Sequence, residues 1–286
     1  MIRLNKALAK SGICSRREAD YYIKNGMVLV NKVIVNELGI KINEHEDKFE
    51  LSSKAEQHIK RKISILYNKP LGIVSSQPED AYIPAIAKLT KENQWDSNDN
   101  TNHRGNKNNN KSRSIILNRN EPCNLPKLGV CGRLDINSTG LLFFTQDGTL
   151  AKRILSKTST TTPIEKEYLV RVDKLLQEPT KGNYNYENNT INNNAMSQKA
   201  TQHIIDKFQS GIYCTGDLLK ASSVQILNEN QLKIVLIDGK HHQIRRMCSN
   251  VGLQIMAIKR VRIGELCLAN LPVGKWRYYL PGIDYI

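Results

Sequence analysis

Asp135 stands in the string Cys131-Gly132-Arg133-Leu134-Asp135-Ile136-Asn137-Ser138-Thr139-Gly140, a short polar turn between glycines that runs straight into the apolar stretch 141–145. That stretch reads as a buried strand, so the carboxylate ahead of it is held in place. A held, ionised carboxylate can attack an electrophilic carbon, stabilise positive charge that develops there, or accept a proton. It can equally do no more than cap its own turn, since Asp commonly accepts local backbone N–H bonds. Tyr168 lies in the alternating segment 165–172, where it shares a face with Val170 and Val172 and reads most plainly as a core aromatic. Arg245 follows Gly239-Lys240-His241-His242-Gln243-Ile244 at the start of a predicted helix. The paired histidines have no third ligand nearby, and the six cysteines are scattered without a C-x-x-C pair, so no metal is expected.

The elements that must position these groups follow from pattern. Leu4, Ala7 and Leu8 share a helical face that Gly12 ends, and Ser15-Arg16-Arg17-Glu18 is a capping box that starts a second helix running to Gly26. Residues 28–35 read as two short strands about Asn31-Lys32, which makes a helix-helix-hairpin unit of residues 1–60. The charged, apolar-poor segment 44–62 is expected to include the linker. A second domain, 61–286, opens at 63–75 as a strand, a Lys69-Pro70-Leu71-Gly72 turn and a second strand, with Pro70 fixing φ and Gly72 free to take φ > 0. Asp147-Gly148 punctuates the buried strand before a short helix at 149–156, and 232–237 and 259–266 are further strands. Asn supplies 10 of the 28 residues in 93–120 and 7 of the 12 in 183–194, and both tracts are read as disordered insertions.

With 42 Lys and Arg against 27 Asp and Glu, the chain has a formal charge of +15, which favours polyanionic partners. No stretch approaches the roughly 20 apolar residues of a membrane span. The start of the chain lacks a long apolar segment with a cleavage site, so a cytoplasmic protein with reduced thiols is expected. Residues 1–62 hold 13 basic and 8 acidic side chains, a modest surplus suited to an auxiliary grip. Arg16 and Arg17 sit there at a helix start, where backbone N–H groups also favour an anion, although a solvated basic face fits equally. Residues 240–277 hold eight Lys or Arg and only Glu265 as an acid, a stronger footprint for a nucleic acid.

The string around Asp135 closely resembles the Gly-Arg-Leu-Asp signature of the ribosomal RNA pseudouridine synthases of the RsuA/RluB/RluE/RluF family. Other segments resemble it too: Lys69-Pro70-x-Gly72 after a first strand, Lys166-x-Tyr168-x-Val170, Gly239-Lys240-x-x-Gln243-Ile244-Arg245-Arg246-Met247, and the closing Leu271-Pro272-x-Gly274-x-Trp276-Arg277. The first unit resembles the alpha-L RNA-binding module of ribosomal proteins. The likeness spans the chain except for the two Asn-rich tracts. It implies an α+β protein: a small N-terminal helix-helix-hairpin RNA-binding domain, then a catalytic domain with a mixed, mainly antiparallel sheet. It further implies Asp135 as catalytic nucleophile, Tyr168 stacked on a flipped uracil, Arg245 paired with the aspartate, and Arg133 filling the vacated base stack. Lys240, His242, Gln243, Arg246, Lys259, Arg260 and Arg262 join Arg16, Arg17 and Arg133 as residues expected to touch RNA.

The implied reaction cuts the N-glycosidic bond of a uridine, turns the base and rejoins it through carbon, without redox change or cofactor. Asp135 would act at C1′ or take the 2′ proton, and the residues do not choose between these. Pairing with Arg245 favours the ionised carboxylate. An ordinary glycosidase usually needs two carboxylates flanking the bond, and only Asp135 has a motif. The expected substrate is large-subunit ribosomal RNA, handled by a monomer; small-subunit RNA and a non-catalytic RNA-binding assembly factor are the alternatives. Deleting residues 1–60 is expected to weaken RNA binding and to flatten its salt dependence by about 0.7 to 0.9 in log–log slope for each phosphate no longer neutralised, which filter binding across a salt series checks.

Overall fold

In the computed structural model, which describes residues 1–76, 81–95, 122–124, 128–156, 163–173 and 193–284 (of 193–200 the backbone alone), the chain opens with β1 (Ile2–Arg3) and α1 (Leu4–Lys10). The α1 stripe Leu4, Ala7 and Leu8 is buried against Ala19, Tyr22 and Ile23 of α2 (Arg16–Lys24). Both arms of the expected capping box form at the start of α2: Ser15 Oγ accepts from the Glu18 N–H, and the Glu18 carboxylate accepts from the Ser15 N–H at 2.8 Å. β2 (Val28–Val30) and β3 (Val33–Val35) form the expected hairpin, with Asn31 and Lys32 at φ 50° and 68° in a turn that matches strand twist. β4 (Lys41–Ile42) then pairs with β1.

Most of the segment expected to include the linker is regular structure. β5 (Phe49–Leu51) pairs antiparallel with β2, and α3 (Ser53–Lys60) follows from an N-cap at Ser52. Its apolar residues are few, but Phe49, Leu51, Ala55 and Ile59 all face the same small core, which is sufficient when the rest of each element is solvated. The capping box also reaches outward. Glu18 pairs with Lys62, whose side chain is 9% exposed, and a Cβ at Gly148 would stand 2.5 Å from Ser15 Oγ. The N-terminal unit therefore packs directly on the second one.

The second unit is organised on a nine-stranded sheet. Its strands are β6 (Ser64–Lys69), β7 (Gly129–Cys131), β8 (Thr139–Thr145), β9 (Lys166–Val172), β12 (Ser223–Asn228), β13 (Gln231–Leu236), β14 (Ile255–Ile263), β15 (Leu266–Cys267) and β16 (Trp276–Tyr278). Between β8 and β9 lies α4 (Gly148–Leu155), whose N-cap Asp147 accepts from Thr149 and Leu150. Between β9 and β12 lie α5 (Asn193–Ser210) and a hairpin of β10 (Ile212–Cys214) and β11 (Asp217–Leu219), and α6 (Gln243–Asn250) precedes β14. The main path runs β12-β13-β9-β14-β8-β6-β16, with β7 beside β8 and β15 beside β14. Every pairing is antiparallel except β14 with β8, so the sheet is mixed and mainly antiparallel.

β8 is buried on both faces, which explains its unbroken apolar run. Leu142 and Phe144 enter the core shared with Tyr168, Val170 and Ile234, while Leu141 and Phe143 pack with Ile154, Ile263 and Leu266 on the other side. Two expected strands differ. After the Lys69-Pro70 turn, Val74 makes a single parallel bridge to Pro84, and no ladder follows because the partner segment winds into a 3₁₀ turn at Ala85–Lys88. The closing strand ends at Ile263 and folds back, so that Ile263 pairs with Leu266. The Asn-rich tracts lie outside the described residues except at their edges, where 93–95 are held by a bond from the Trp95 N–H to Trp276 O at 2.8 Å and Asn193 starts α5. Among the described residues, no helix is long and apolar enough to cross a membrane.

The parallel rung places Gly140 of β8 beside Arg260 of β14 so closely that a Cβ there would stand 2.2 Å from the Arg260 carbonyl oxygen, at φ +104°. Gly140→Ala is expected to cost about 3 kcal/mol or more, from backbone strain and forced separation of the two strands. Denaturant unfolding of the purified variant measures it.

Candidate active site

Residues 132–138 leave β7 and enter β8 with no strand partner of their own, yet the backbone carbonyls from Gly132 to Asn137 are all satisfied. Arg260 donates to Gly132 O from Nη2 at 3.1 Å and to Arg133 O from Nη1 at 3.5 Å. Leu134 O accepts from Ser75 Oγ at 2.6 Å, and Asp135 O accepts from the Ser138 N–H at 3.0 Å. Ile136 O accepts from the Gly72 N–H at 3.1 Å and Lys69 Nζ at 3.5 Å, and Asn137 O accepts from Arg245 Nη2 at 2.9 Å. Buried backbone acceptors require partners, and here they come from both flanking strands and from α6.

The loop so held lifts the Asp135 side chain, 37% exposed, into an open cleft. Arg245 Nε stands 3.7 Å from its Oδ2 and His242 Nε2 stands 3.7 Å from its Oδ1, so the two oxygens face different cations or potential cations. His242 is exposed at φ 49°, immediately before α6, and its ring stacks on His241 with centroids 3.8 Å apart. Tyr168, 8% exposed, lines the same cleft with Arg133, Leu236, Ile244 and Ile258. The site thus offers one carboxylate, adjacent positive charge, and an apolar patch of Leu236, Ile244 and Ile258 beside an aromatic ring, within an otherwise polar lining. Such a pocket can hold a flat base and stabilise charge at an attached sugar.

Asp135, Tyr168 and Arg245 therefore converge from three separate segments, with Arg133, Lys240 and His242 at the rim. Four of the residues expected to touch RNA do not reach solvent as free donors. Arg260 is 1% exposed, and its guanidinium is taken up by the carbonyls of Gly132, Arg133 and Leu141. Gln243 is 3% exposed; its amide accepts from the Lys240 N–H and donates to Lys220 O and Asp238, closing the turn before α6. Arg246 binds Asp217, Thr215 and Cys214 O, pinning the β10–β11 hairpin. Arg262 pairs with Glu165 at 3.0 Å and Glu167 at 3.2 Å. Lys240 shares Asp217 with Arg246, and Arg277 pairs with Asp284. The basic footprint of 240–277 is largely neutralised by acids from elsewhere in the chain. Arg16, Arg17 and Arg133 are exposed, and Lys259 is half-buried.

Lys69 and Ser75 escaped the sequence reading as site residues. Lys69 is fully buried, and its Nζ donates to Ile73 O at 2.7 Å and Pro70 O at 3.0 Å as well as to Ile136 O. Burial pushes its ammonium down to about 8, with Asp135 pulling it back up and Arg260 adding to the fall. The available signal was a lysine ending an otherwise buried strand, where a charge needs a reason.

Residues 63–250 match the family model described as RNA pseudouridylate synthase, and residues 2–47 match the S4 domain. The first match covers well over half the chain, and the protein belongs to that family: it is a pseudouridine synthase, an isomerase, with an S4 domain at its N-terminus. It is 29% identical to the dual-specificity RNA pseudouridine synthase RluF of Escherichia coli (strain K12), across 96% of this chain and 74% of that one. An uncharacterized RNA pseudouridine synthase of Aquifex aeolicus is 30% identical, across 96% and 92%. A putative ribosomal large subunit pseudouridine synthase of the chloroplast of Arabidopsis thaliana, SVR1, is 27% identical, across 96% and 57%. A crystal structure of a pseudouridylate synthase shares the fold, with TM-score 0.51 and 23% identity over 98% of this chain and 96% of that one.

The Lys69 charge has a pH signature. Its pKa of about 8 in the fold lies below the 10.5 of an unperturbed lysine, so between these values the unfolded chain binds more protons and stability rises with pH. The cost of burying the charge is full below pH 8 and fades toward 10.5. Compared with Lys69→Met, the wild type is expected to gain about 2 kcal/mol of relative stability between pH 7.5 and 9.5, at about 1.36 kcal/mol per pKa unit, as read by denaturant unfolding at the two pH values.

Proposed function

We propose that the protein isomerises a specific uridine of large-subunit ribosomal RNA to pseudouridine, with Asp135 as the reacting carboxylate. The observation that carries this reading is the Asp135 carboxylate at 3.7 Å from Arg245, standing in a cleft lined by Tyr168. The N1–C1′ bond of the uridine breaks, the uracil turns, C5 bonds to C1′, and the proton leaving C5 is balanced by one gained at N1. Asp135 acts at the sugar, by attack at C1′ or by removal of the 2′ proton, with the Arg245 guanidinium 3.7 Å away as its counter-charge. Tyr168 stacks on the extruded base, and Arg133, exposed at the rim, fills the gap left in the RNA.

Ribosomal RNA as the substrate class is supported by the +15 charge and by the ribosomal large-subunit name of the Arabidopsis relative. In this reading residues 1–60 grip RNA through Arg16 and Arg17, and residues 61–286 carry out the chemistry. His242 and Lys259 contact phosphates beside the cleft. Asp135→Asn keeps the size and most turn bonding of the side chain but removes its charge. Product formation is expected to vanish, while RNA affinity changes by less than about threefold and stability by less than about 1 kcal/mol. Single-turnover conversion of ribosomal RNA with saturating enzyme measures the chemistry apart from binding. Near-wild-type conversion would leave an RNA-binding assembly factor as the better account.

A further inference from the structure

The hydroxyl of Ser75 makes two hydrogen bonds to the backbone of one residue, Leu134, the neighbour of Asp135. It donates to Leu134 O at 2.6 Å and accepts from the Leu134 N–H at 2.8 Å. This is the pattern of a strand rung, made by a side chain where no strand is available: β7 has ended at Cys131 and β8 begins only at Thr139. Ser75 is 5% exposed, so it reaches neither RNA nor solvent. Its own position is braced on both sides. Val74 exchanges bonds with Ile83 and Ala85 at 3.1 and 2.7 Å, and the Ile73 carbonyl is held by Lys69. Leu134 itself is anchored, with its side chain 7% exposed in the main core.

We propose that Ser75 is a positioning residue for the pseudouridine-forming reaction: by fixing both backbone groups of Leu134 it sets the direction in which the chain delivers the Asp135 carboxylate to the cleft. The proposal rests on the reading of Asp135 as the reacting group. With Leu134 pinned by its side chain and by both backbone groups, rotation about its φ and ψ is closed. Asp135 then inherits a fixed starting vector, and Arg245 and His242 meet its two oxygens without rearrangement. Removal of the rung frees Leu134 N–H and C=O in a site where water has poor access. Those groups find new partners by turning the peptide, and the carboxylate turns with it. A displacement on the order of 1 Å at a reacting group can cost 100-fold in rate with little change in binding.

The test uses the full-length protein and ribosomal RNA purified from cells of the source organism lacking the gene. Pseudouridine is measured in single turnovers with enzyme in excess, RNA binding by filter retention, and folding by thermal melting. Ser75→Ala is expected to slow conversion by about 10- to 100-fold, with RNA affinity within about threefold of wild type. Ser75→Thr, which retains the hydroxyl, is expected to recover most of the rate. A purely structural hydroxyl would lower the melting temperature but leave the single-turnover rate of the folded enzyme unchanged, so a Ser75→Ala rate within threefold of wild type overturns the proposal. So does a slower rate matched by an equal fall in RNA affinity. Should Ser75→Ala not fold, Ser75→Cys, close in size with weaker hydrogen bonding, is expected to be several-fold slow, and a wild-type rate overturns the proposal there. Asp135→Asn in the same assay separates the two readings. If it converts RNA normally, or if the wild type converts none, the reaction assignment falls and this proposal with it; if it is dead while Ser75→Ala is fast, only this proposal fails.

Discussion

A buried guanidinium holds the candidate site together. Arg260 sits on β14 beneath the turn that carries Asp135, 1% exposed, and among the described residues its hydrogen-bond partners are the carbonyl oxygens of Gly132, Arg133 and Leu141. A cation removed from water must be met by oriented dipoles or charges, or its burial costs several kcal/mol. Three carbonyls converging on one planar fork meet that requirement, and the same bonds fasten both ends of a loop that has no strand partner. The parallel rung between β14 and β8 brings the fork there, and Gly140, the one residue type without a Cβ, lets the two backbones approach. Lys69 completes the arrangement from β6, with its Nζ on the carbonyls of Pro70, Ile73 and Ile136.

The surface charge is distributed differently from a count of residues. The surplus of cations near the C-terminus is met by Asp217, Glu165, Glu167 and Asp284, which brace the β10–β11 hairpin, the β9–β14 edge and the closing segment. These pairs leave Arg133 exposed beside the cleft, with Lys259 half-buried on β14. The strongly basic balance of the chain still attracts a polyanion even where individual groups are paired, within the Debye length of about 8 to 10 Å beyond which salt screens it.

The N-terminal unit is joined to this scaffold by direct packing as well as by chain. Glu18 serves the capping box of α2 and the ion pair with Lys62 at once, and Gly148 at the start of α4 admits Ser15 without a side chain in between. Two helix starts meet there. The S4 domain and the unit that bears the cleft thus share a packed contact.

What the sequence by itself determined is whatever depends on residues a few positions apart. The stripe of α1, the Ser15–Glu18 box, the Asn31-Lys32 turn, the two-sided burial of β8 and the inward face of Tyr168, Val170 and Val172 are all local consequences of spacing and side-chain shape. The Asp135 turn was legible for the same reason, and the family resemblance extended it to Tyr168 and Arg245. The tertiary structure alone decided which polar groups are free. Arg260 looked like a phosphate ligand until its carbonyl partners 119 to 128 residues away were in place. Arg246 and Arg262 found acids 29 and 95 to 97 residues distant. Gln243 closed a turn against Lys220 O, 23 residues back, and 44–62 became a strand and a helix through a core supplied by α1 and α2. Lys69 and Ser75 gained their place at the site through partners 67 and 59 residues on. A side chain's type states which bonds it can make; burial and the partners folding brings within about 3 Å determine which of them it makes, and those distances are not local in the chain.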